Sequence, residues 1–113
     1  MLAREARLRK NKDFDKVYKK GKSYSSKILK MYVLTSDLPF QRCGFSISKK
    51  VSKKAVERNK LKRRLSSIFH EESKKIKDGI DVIFVARTEL ISLAFSELEI
   101  LVKNLLSKAD IYV

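Results

Sequence analysis

A block of closely spaced basic residues is the first feature of this sequence that could do chemistry. Residues 49–64 hold nine Lys or Arg side chains and one acid, Glu57, a net charge of +8. Cations at this density bind polyanions, because each can neutralise a phosphate and release its counterion. Asn59 stands among them, and its amide can hydrogen-bond to phosphates and base edges. The block therefore predicts a nucleic-acid-binding surface.

A second group of side chains could bind unpaired bases by stacking. They are the aromatic residues Phe14, Tyr18, Tyr32 and Phe45. A base stacked on such a ring contributes about 1–3 kcal/mol, and every base has a face that can stack. The alternative is that these rings belong to the core, which fits Phe14 and Phe45 equally well and fits the amphipathic tyrosines less well.

Catalysis by protein side chains finds little support in the sequence. The chain has one His, His70, and one Cys, Cys43, which excludes the usual zinc patterns and an internal disulfide. Asp78 and Asp81 flank a turn and a strand start, and this explains them better than a metal site does. The glycine-rich motifs of nucleotide-cofactor sites do not occur in the sequence. We therefore expect no catalytic residue and no dedicated metal site.

Length and composition limit the class of protein. The 113 residues carry 27 Lys or Arg against 13 Asp or Glu, a net charge of +14, and 43% of them are hydrophobic. This predicts one domain, residues 1–113, with residues 1–10 as a flexible basic arm. No apolar run approaches the roughly 20 residues of a membrane helix, and charges interrupt the place of a signal peptide's apolar region. We expect a cytoplasmic protein.

The charge is concentrated rather than spread for solubility. Residues 1–30 carry eleven bases and three acids, a net charge of +8, which equals that of the basic block at 49–64. Residues 65–113 carry six bases and eight acids and are slightly acidic. Two dense basic blocks on an otherwise neutral chain favour two binding surfaces.

The elements that must position these residues follow from the hydrophobic periodicity. Helical spacing predicts helices at residues 11–20, 53–74 and 96–105, and apolar or alternating runs predict strands at 28–35, 44–48 and 80–86. Gly21 suits the position after the first helix, where glycine often takes a left-handed conformation. A hairpin between the first two strands is the simplest pairing, and a further short strand near residues 23–26 is weakly indicated.

The order of elements predicts an α+β protein. The expected architecture is a compact two-layer α/β sandwich, in which three helices cover a small mixed sheet of about four strands. The helix at 53–74 would bury Leu61, Leu65, Ile68 and Phe69 on one stripe. The side opposite this stripe, with Asn59, Arg63, Ser66 and His70, would then face solvent.

These motifs together resemble those of a known family. Residues 54–64, KAVERNKLKRR, follow residues 44–51, GFSISKKV, and residues 8–18, LRKNKDFDKVY, precede both. Residues 80–87, IDVIFVAR, come after them. In this order and over this length, the chain resembles the bacterial ribonuclease P protein component.

The resemblance implies both an activity and partners. Ribonuclease P is a ribonucleoprotein endonuclease that removes the 5′ leader from precursor tRNA. In this family the RNA subunit performs the hydrolysis with magnesium, and the protein binds the catalytic RNA and the single-stranded leader. The resemblance also implies a left-handed βαβ crossover, which is rare among parallel connections.

Two sets of site residues carry over from the family. The RNA-subunit-binding residues would be Lys53, Lys54, Arg58, Asn59, Lys60, Lys62, Arg63 and Arg64. The residues that bind the precursor-tRNA leader would be Arg7, Lys10, Phe14, Tyr18, Tyr32 and Tyr112. The family's motif is Arg-Asn-Arg, so Lys60 at its third position keeps the charge but loses the planar guanidinium fork.

Two other classes of nucleic-acid-binding protein are compatible with the charge alone. A structural RNA-binding protein, such as a ribosomal protein, would carry a similar excess of Lys and Arg. A DNA-binding module is less favoured, because no helix that could form a helix-turn-helix precedes the basic helix at 53–74. The oligomeric state, the preferred leader sequence and the role of His70 do not follow from the sequence.

Overall fold

The computed structural model describes residues 6–87 and 93–113, which form three helices and four strands. In chain order these are α1 (Asn11–Lys20), β1 (Lys22–Ser25), β2 (Leu29–Thr35), β3 (Arg42–Ser46), α2 (Ala55–Ser73), β4 (Ile80–Ala86) and α3 (Phe95–Lys108). The α+β class and the small mixed sheet are confirmed. The weakly indicated strand near residues 23–26 is β1. Within the described ranges, no helix is long and apolar enough to cross a membrane.

The strands form one sheet in the order β1-β2-β4-β3. β2 pairs antiparallel with both β1 and β4, while β3 pairs parallel with β4. The predicted hairpin between β2 and β3 is therefore wrong, since β4 lies between them. β4 is the most continuously apolar strand, and a central position covers both of its faces. β3, α2 and β4 form a βαβ unit, whose left-handed sense stays a prediction of the resemblance.

Neighbouring residues of β4 point to opposite faces of the sheet and meet different helices. Val82 and Phe84 belong to the large core cluster formed with α2 and α3. Ile83, between them, packs in a smaller cluster with Val17 of α1 and with Leu8. The sheet with α2 and α3 forms the predicted sandwich, and α1 covers part of the opposite face.

The end of α1 lies unusually close to β2. Gly21 follows the end of α1 as predicted, and its φ of −77° is an extended and not a left-handed conformation. A Cβ at this position would lie 2.5 Å from the carbonyl oxygen of Val17 and 2.9 Å from that of Val33. Glycine is needed here because two backbone segments approach closely, not because of its φ.

An ion-pair network ties α1 to the sheet. The Arg42 guanidinium donates two hydrogen bonds to Asp81, of 2.9 Å from Nε and 2.7 Å from Nη2. Its Nη1 lies 3.5 Å from a carboxylate oxygen of Asp13 on α1. The hydrogen bond to Asp81 raises the pKa of Arg42. Since Asp81 is only 4% exposed, this network joins β3, β4 and α1 around a buried charge.

The N-terminal segment lies along the free edge of β3. Arg7 forms a parallel bridge with Cys43, and the N–H of Leu8 donates to the Cys43 carbonyl at 2.9 Å. Leu8 is buried. The structure thus differs from the predicted flexible arm at residues 6–10, because an edge strand offers unpaired backbone groups that these residues satisfy. Residues 1–5 lie outside the described part of the chain.

Candidate nucleic-acid interface

An aromatic cluster, formed by Phe14 and Tyr18 of α1 and Tyr32 of β2, lies on the α1 face of the sheet. The centroids of Phe14 and Tyr18 are 6.1 Å apart, and those of Tyr18 and Tyr32 are 4.9 Å apart, both in edge-to-face geometry. The i, i+4 spacing places the two helical rings on one side of α1. The structure therefore brings together three of the six residues predicted to bind the leader.

The three rings differ in how deeply they are buried in the core. Tyr18 is 36% exposed, and Phe14 and Tyr32 are half-buried. Phe14 reaches over Gly44, where a Cβ would lie only 2.6 Å from the Phe14 Cζ. Phe45 points to the opposite face, against Phe84 at 6.1 Å and 14°. The core alternative thus applies to Phe45 and in part to Phe14, while the tyrosines remain available for stacking.

Lys30 is a neighbour of the aromatic cluster that the sequence analysis missed. Its Nζ lies 4.9 Å from the centroid of the Tyr32 ring, within the range of a cation–π contact. The signal was present, because residues two apart on a strand share a face and Lys30 precedes Tyr32 by two. Lys10, which was predicted, is exposed at the N-cap of α1. The cluster thus has a cation, Lys30, beside the Tyr32 ring.

The first half of α2 presents the predicted basic face to solvent. Leu61, Leu65, Ile68 and Phe69 are buried, as the helical stripe predicts, whereas Ser66, which was predicted on the solvent side, is buried as well. On the outer side Asn59, Lys60, Lys62 and Arg63 are exposed, Arg58 and Arg64 are partly exposed, and Lys53 and Lys54 are exposed just before the helix. The eight residues predicted to bind the RNA subunit therefore form one continuous stretch, which we call the basic face.

Arg58 differs from its neighbours because part of its guanidinium is already used within the protein. Its Nη1 donates a hydrogen bond of 2.9 Å to the carbonyl oxygen of Ser52. The Ser52 hydroxyl in turn donates to Glu57 at 2.6 Å. Arg58 therefore shapes the turn that leads into α2 and has fewer donors left for RNA.

A groove lies between α2 and the edge of the sheet, where residues 7 and 8 pair with β3. Its volume is about 400 Å³, and it is lined by Arg7, Leu8, Arg9, Cys43, Phe45, Asn59, Lys62, Arg63 and Ser66. Arg7, predicted to bind the leader, thus lies beside the basic face and not with the aromatic cluster. The pairing of residue 7 with Cys43 causes this placement. Arg9 is a further cation of this region that the sequence analysis did not assign.

Tyr112 lies apart from the aromatic cluster as well. Its hydroxyl donates a hydrogen bond of 2.7 Å to the buried Glu72 of α2, and its backbone forms a bridge with Ile76. Burial, followed by the contact with Glu72, raises the pKa of Tyr112. Its ring packs against the core cluster on the α2–α3 side of the sheet. The structure does not place this residue with the other predicted leader-binding residues.

The remaining candidates for chemistry among the described residues are a thiol, an imidazole and two buried carboxylates. Burial raises the pKa of the Cys43 thiol, which is 1% exposed, and His70 is exposed on α2. The buried carboxylates Asp81 and Glu72 are engaged by Arg42 and by Tyr112 with Lys75. Among the described residues, no three His, Cys, Asp or Glu side chains gather as metal ligands.

The sequence of this chain is similar to a known protein family and to proteins of several bacteria. The family model described as Ribonuclease P matches residues 2–110. The ribonuclease P protein component of Alkaliphilus oremlandii is 43% identical over 105 residues, 93% of this chain and 91% of the relative. That of Clostridium botulinum strain 657 is 42% identical over 110 residues, 96% and 98% of the two chains.

Solved structures give the same result. The RNase P protein of Staphylococcus aureus has a TM-score of 0.88 and 29% identity, and the match covers 96% of this chain and 98% of the other. The RNase P protein from Thermotoga maritima has a TM-score of 0.81 and 29% identity, with 90% and 96% covered. The fold of this chain is thus shared with these proteins.

Proposed function

The chain belongs to the bacterial ribonuclease P protein family, and from this premise we propose how its two surfaces divide the work. It is the protein subunit of a ribonucleoprotein enzyme that removes the 5′ leader from precursor tRNA. Its partners are the catalytic RNA and the leader, and the RNA performs the hydrolysis. The observation that carries the division of labour is that the aromatic cluster and the basic face lie on opposite sides of one sheet.

The basic face is the surface we assign to the RNA subunit. Its cations stand exposed in one stretch at the start of α2, so they can meet several phosphates of a folded RNA at once. Arg63 and Arg64 can donate paired hydrogen bonds to phosphates, and Asn59 can reach a base edge. Arg7 and Arg9 extend this surface across the groove.

The aromatic cluster is the surface we assign to the leader. Its rings accept any base, and the cations Lys10 and Lys30 can meet the phosphates between bases. Such a surface binds a single strand of variable sequence, which is what leaders of different tRNAs present. Tyr112 carries no part of this assignment, because it is bonded to Glu72 on the other side of the sheet.

This division explains how a subunit without catalytic residues can favour substrate. Mature tRNA has lost the leader, so contacts to the leader stabilise the precursor complex and not the product complex. We propose that magnesium is held mainly by the RNA subunit, since Asp81 and Glu72, the buried carboxylates among the described residues, already have partners. We further propose that the whole chain acts as one domain in the cytoplasm, where precursor tRNA is made.

Reconstitution tests the proposed function. The purified protein is added to a bacterial ribonuclease P RNA at low magnesium, and cleavage of a precursor tRNA is measured. We expect the protein to raise the cleavage rate, because it adds binding free energy for the precursor. An unrelated basic protein of similar charge serves as the control. An equal effect of both proteins, or no effect of this chain, would contradict the proposal.

A further inference from the structure

The groove between residues 7–9, β3 and α2 is lined by both cationic and apolar residues, and phosphate binding alone does not explain the apolar ones. Among the described residues that line it, four are cations and none is acidic. The cations are Arg7 and Arg9 on one wall and Lys62 and Arg63 on the other. Between them lie the residues Leu8, Cys43 and Phe45. The side chain of Leu8 packs with Val17 and Ile83 on the α1 side of the sheet, so the half-buried Phe45 provides most of the apolar floor. Cations suit phosphates, while the apolar floor suits a flat uncharged group.

The size of the groove limits what can occupy it. Its volume of about 400 Å³ lies in the range of sites for small organic ligands, roughly 300–1,000 Å³. An inorganic phosphate would fill little of this space and leave the apolar floor wet. A double helix is too wide to enter. A single nucleotide matches the volume of the groove. Its flat base suits the apolar floor, and its phosphate suits the cationic walls.

The floor is rigid enough to receive a base. Phe45 is the part of the floor that a base can contact, and it is held by its nearly parallel contact with Phe84, while Cys43 is 1% exposed and lies beneath the surface. Ser66 lines the groove from α2 and is 7% exposed, so its small side chain leaves the space open. Asn59 stands at the rim, where its amide can donate to and accept from a base edge.

We propose that the groove binds one unpaired nucleotide of the RNA subunit, with its base on the floor and its phosphates between the cationic walls. The inference rests on the proposed function. The RNA subunit is the source we name, because Asn59, Lys62 and Arg63 belong to the basic face, whereas the aromatic cluster lies on the other side of the sheet. The groove thus adds recognition of a base to a surface that otherwise binds phosphates.

A mononucleotide tests the groove on the unmodified protein. Adenosine 5′-monophosphate and ribose 5-phosphate are titrated separately, and backbone amide shifts are followed by NMR. The two compounds share sugar and phosphate and differ in the base. We expect the nucleotide to shift the amides of Cys43 and Ser66, and ribose 5-phosphate to leave them in place. Equal shifts with both compounds would mean a phosphate site only and would overturn the proposal.

Two adjacent serines of α2 provide a matched pair of variants. Ser66→Leu fills the groove without changing any charge, and Ser67→Leu makes the same change on the exposed side of the helix. We expect Ser66→Leu to weaken the affinity for the RNA subunit about tenfold, as for the loss of one stacked base, with an unchanged salt dependence. Ser67→Leu should bind like the parent protein.

The outcomes separate this inference from the proposed function and from the other possible source of the nucleotide. If the parent protein does not stimulate cleavage by the RNA subunit, the proposed function fails. If it does, and Ser66→Leu binds the RNA subunit like Ser67→Leu, the groove proposal alone fails. A loss of affinity for the leader of precursor tRNA, with unchanged affinity for the RNA subunit, would overturn the RNA subunit as the source.

Discussion

At the scale of single residues, Gly44 and Phe14 show how a core contact can support a binding surface. Phe14 fills the space that a side chain at position 44 would occupy, since a Cβ there would lie 2.6 Å from the Phe14 Cζ and 3.0 Å from the Leu8 Cβ. The glycine therefore lets one edge of the ring rest on the sheet. The rest of the ring remains half-exposed beside Tyr18.

The variant Gly44→Ala tests this dependence. The added methyl must displace the Phe14 ring and strain the packing, so we expect a loss of stability of about 1–3 kcal/mol. We also expect a loss of affinity for precursor tRNA, with little change in affinity for the RNA subunit. Urea denaturation and two binding titrations measure these effects. The control is Gly79→Ala, at a glycine with φ 74° whose Cβ would meet the carbonyl oxygens of Leu38 and Ser36 instead of Phe14. It should reduce stability without changing the affinity of the folded protein for precursor tRNA.

The types of residue in the sequence predicted the chemistry of the site well, but they did not predict which of these residues lie together. Asn59 and the cations around it stand where the basic pattern placed them, because a helical stripe fixes both its buried and its exposed side. The positions of Arg7 and Tyr112 could not be read from the sequence. Each depends on a pairing between segments far apart in the chain, Arg7 with Cys43 and Tyr112 with Ile76.

At the scale of elements, the position of α1 decides whether the aromatic cluster exists, since two of its three rings are on this helix. Two kinds of contact hold α1. Val17 is fully buried against Ile83 of β4, and Asp13 lies near the guanidinium of Arg42. Arg42 is itself fixed by two hydrogen bonds to the buried Asp81.

Removal of Arg42 should therefore be costly. Arg42→Leu leaves Asp81 buried without its partner, and we expect a loss of stability of about 3 kcal/mol. The double variant Arg42→Leu with Asp81→Leu removes the unpaired charge as well, and we expect it to be more stable than Arg42→Leu alone. Urea denaturation of the two variants and the parent gives these differences. If the double variant were less stable than Arg42→Leu, the unpaired charge of Asp81 would not be the cause of the lost stability.

The elements themselves were largely predictable, whereas the pairing of the strands was not. Periodicity identified β2, β3 and β4 because their apolar residues follow strand patterns. The hairpin between β2 and β3 failed because short connections favour neighbours in sequence, while the apolar β4 gains most from a central place in the sheet. That gain arises only when the complete sheet is formed, so local sequence does not display it.

At the scale of the whole molecule, the fold distributes the basic residues behind the net charge of +14 over two separate surfaces. The sheet places α1 on one side and α2 on the other. Of the first basic block, Lys30 accompanies the aromatic cluster, while Arg7 and Arg9 join the second block beside α2. One surface adds aromatic rings to its cations, and the other is mainly cationic. The two surfaces should therefore differ in how their affinities depend on salt.

Two double variants with opposite chemistry test this separation. Lys60→Ala with Arg63→Ala removes two exposed cations of the basic face. We expect weaker binding of the RNA subunit and a salt slope that is smaller by about 1.5, as for two lost phosphate contacts. Phe14→Ala with Tyr32→Ala removes no charge, so it should weaken precursor binding while its salt slope stays unchanged. Affinities measured at several salt concentrations give both quantities.

The control for charge removal lies on exposed positions away from both surfaces. Lys74 and Lys103 each form an exposed pair with a neighbouring glutamate, and such pairs contribute little to stability. Lys74→Ala with Lys103→Ala lowers the net charge by the same two units as Lys60→Ala with Arg63→Ala. If net charge alone governed binding, the two charge variants would lose affinity equally. If the fold separates the surfaces, only the variant on the basic face loses affinity for the RNA subunit, because only its cations stand where the phosphates bind.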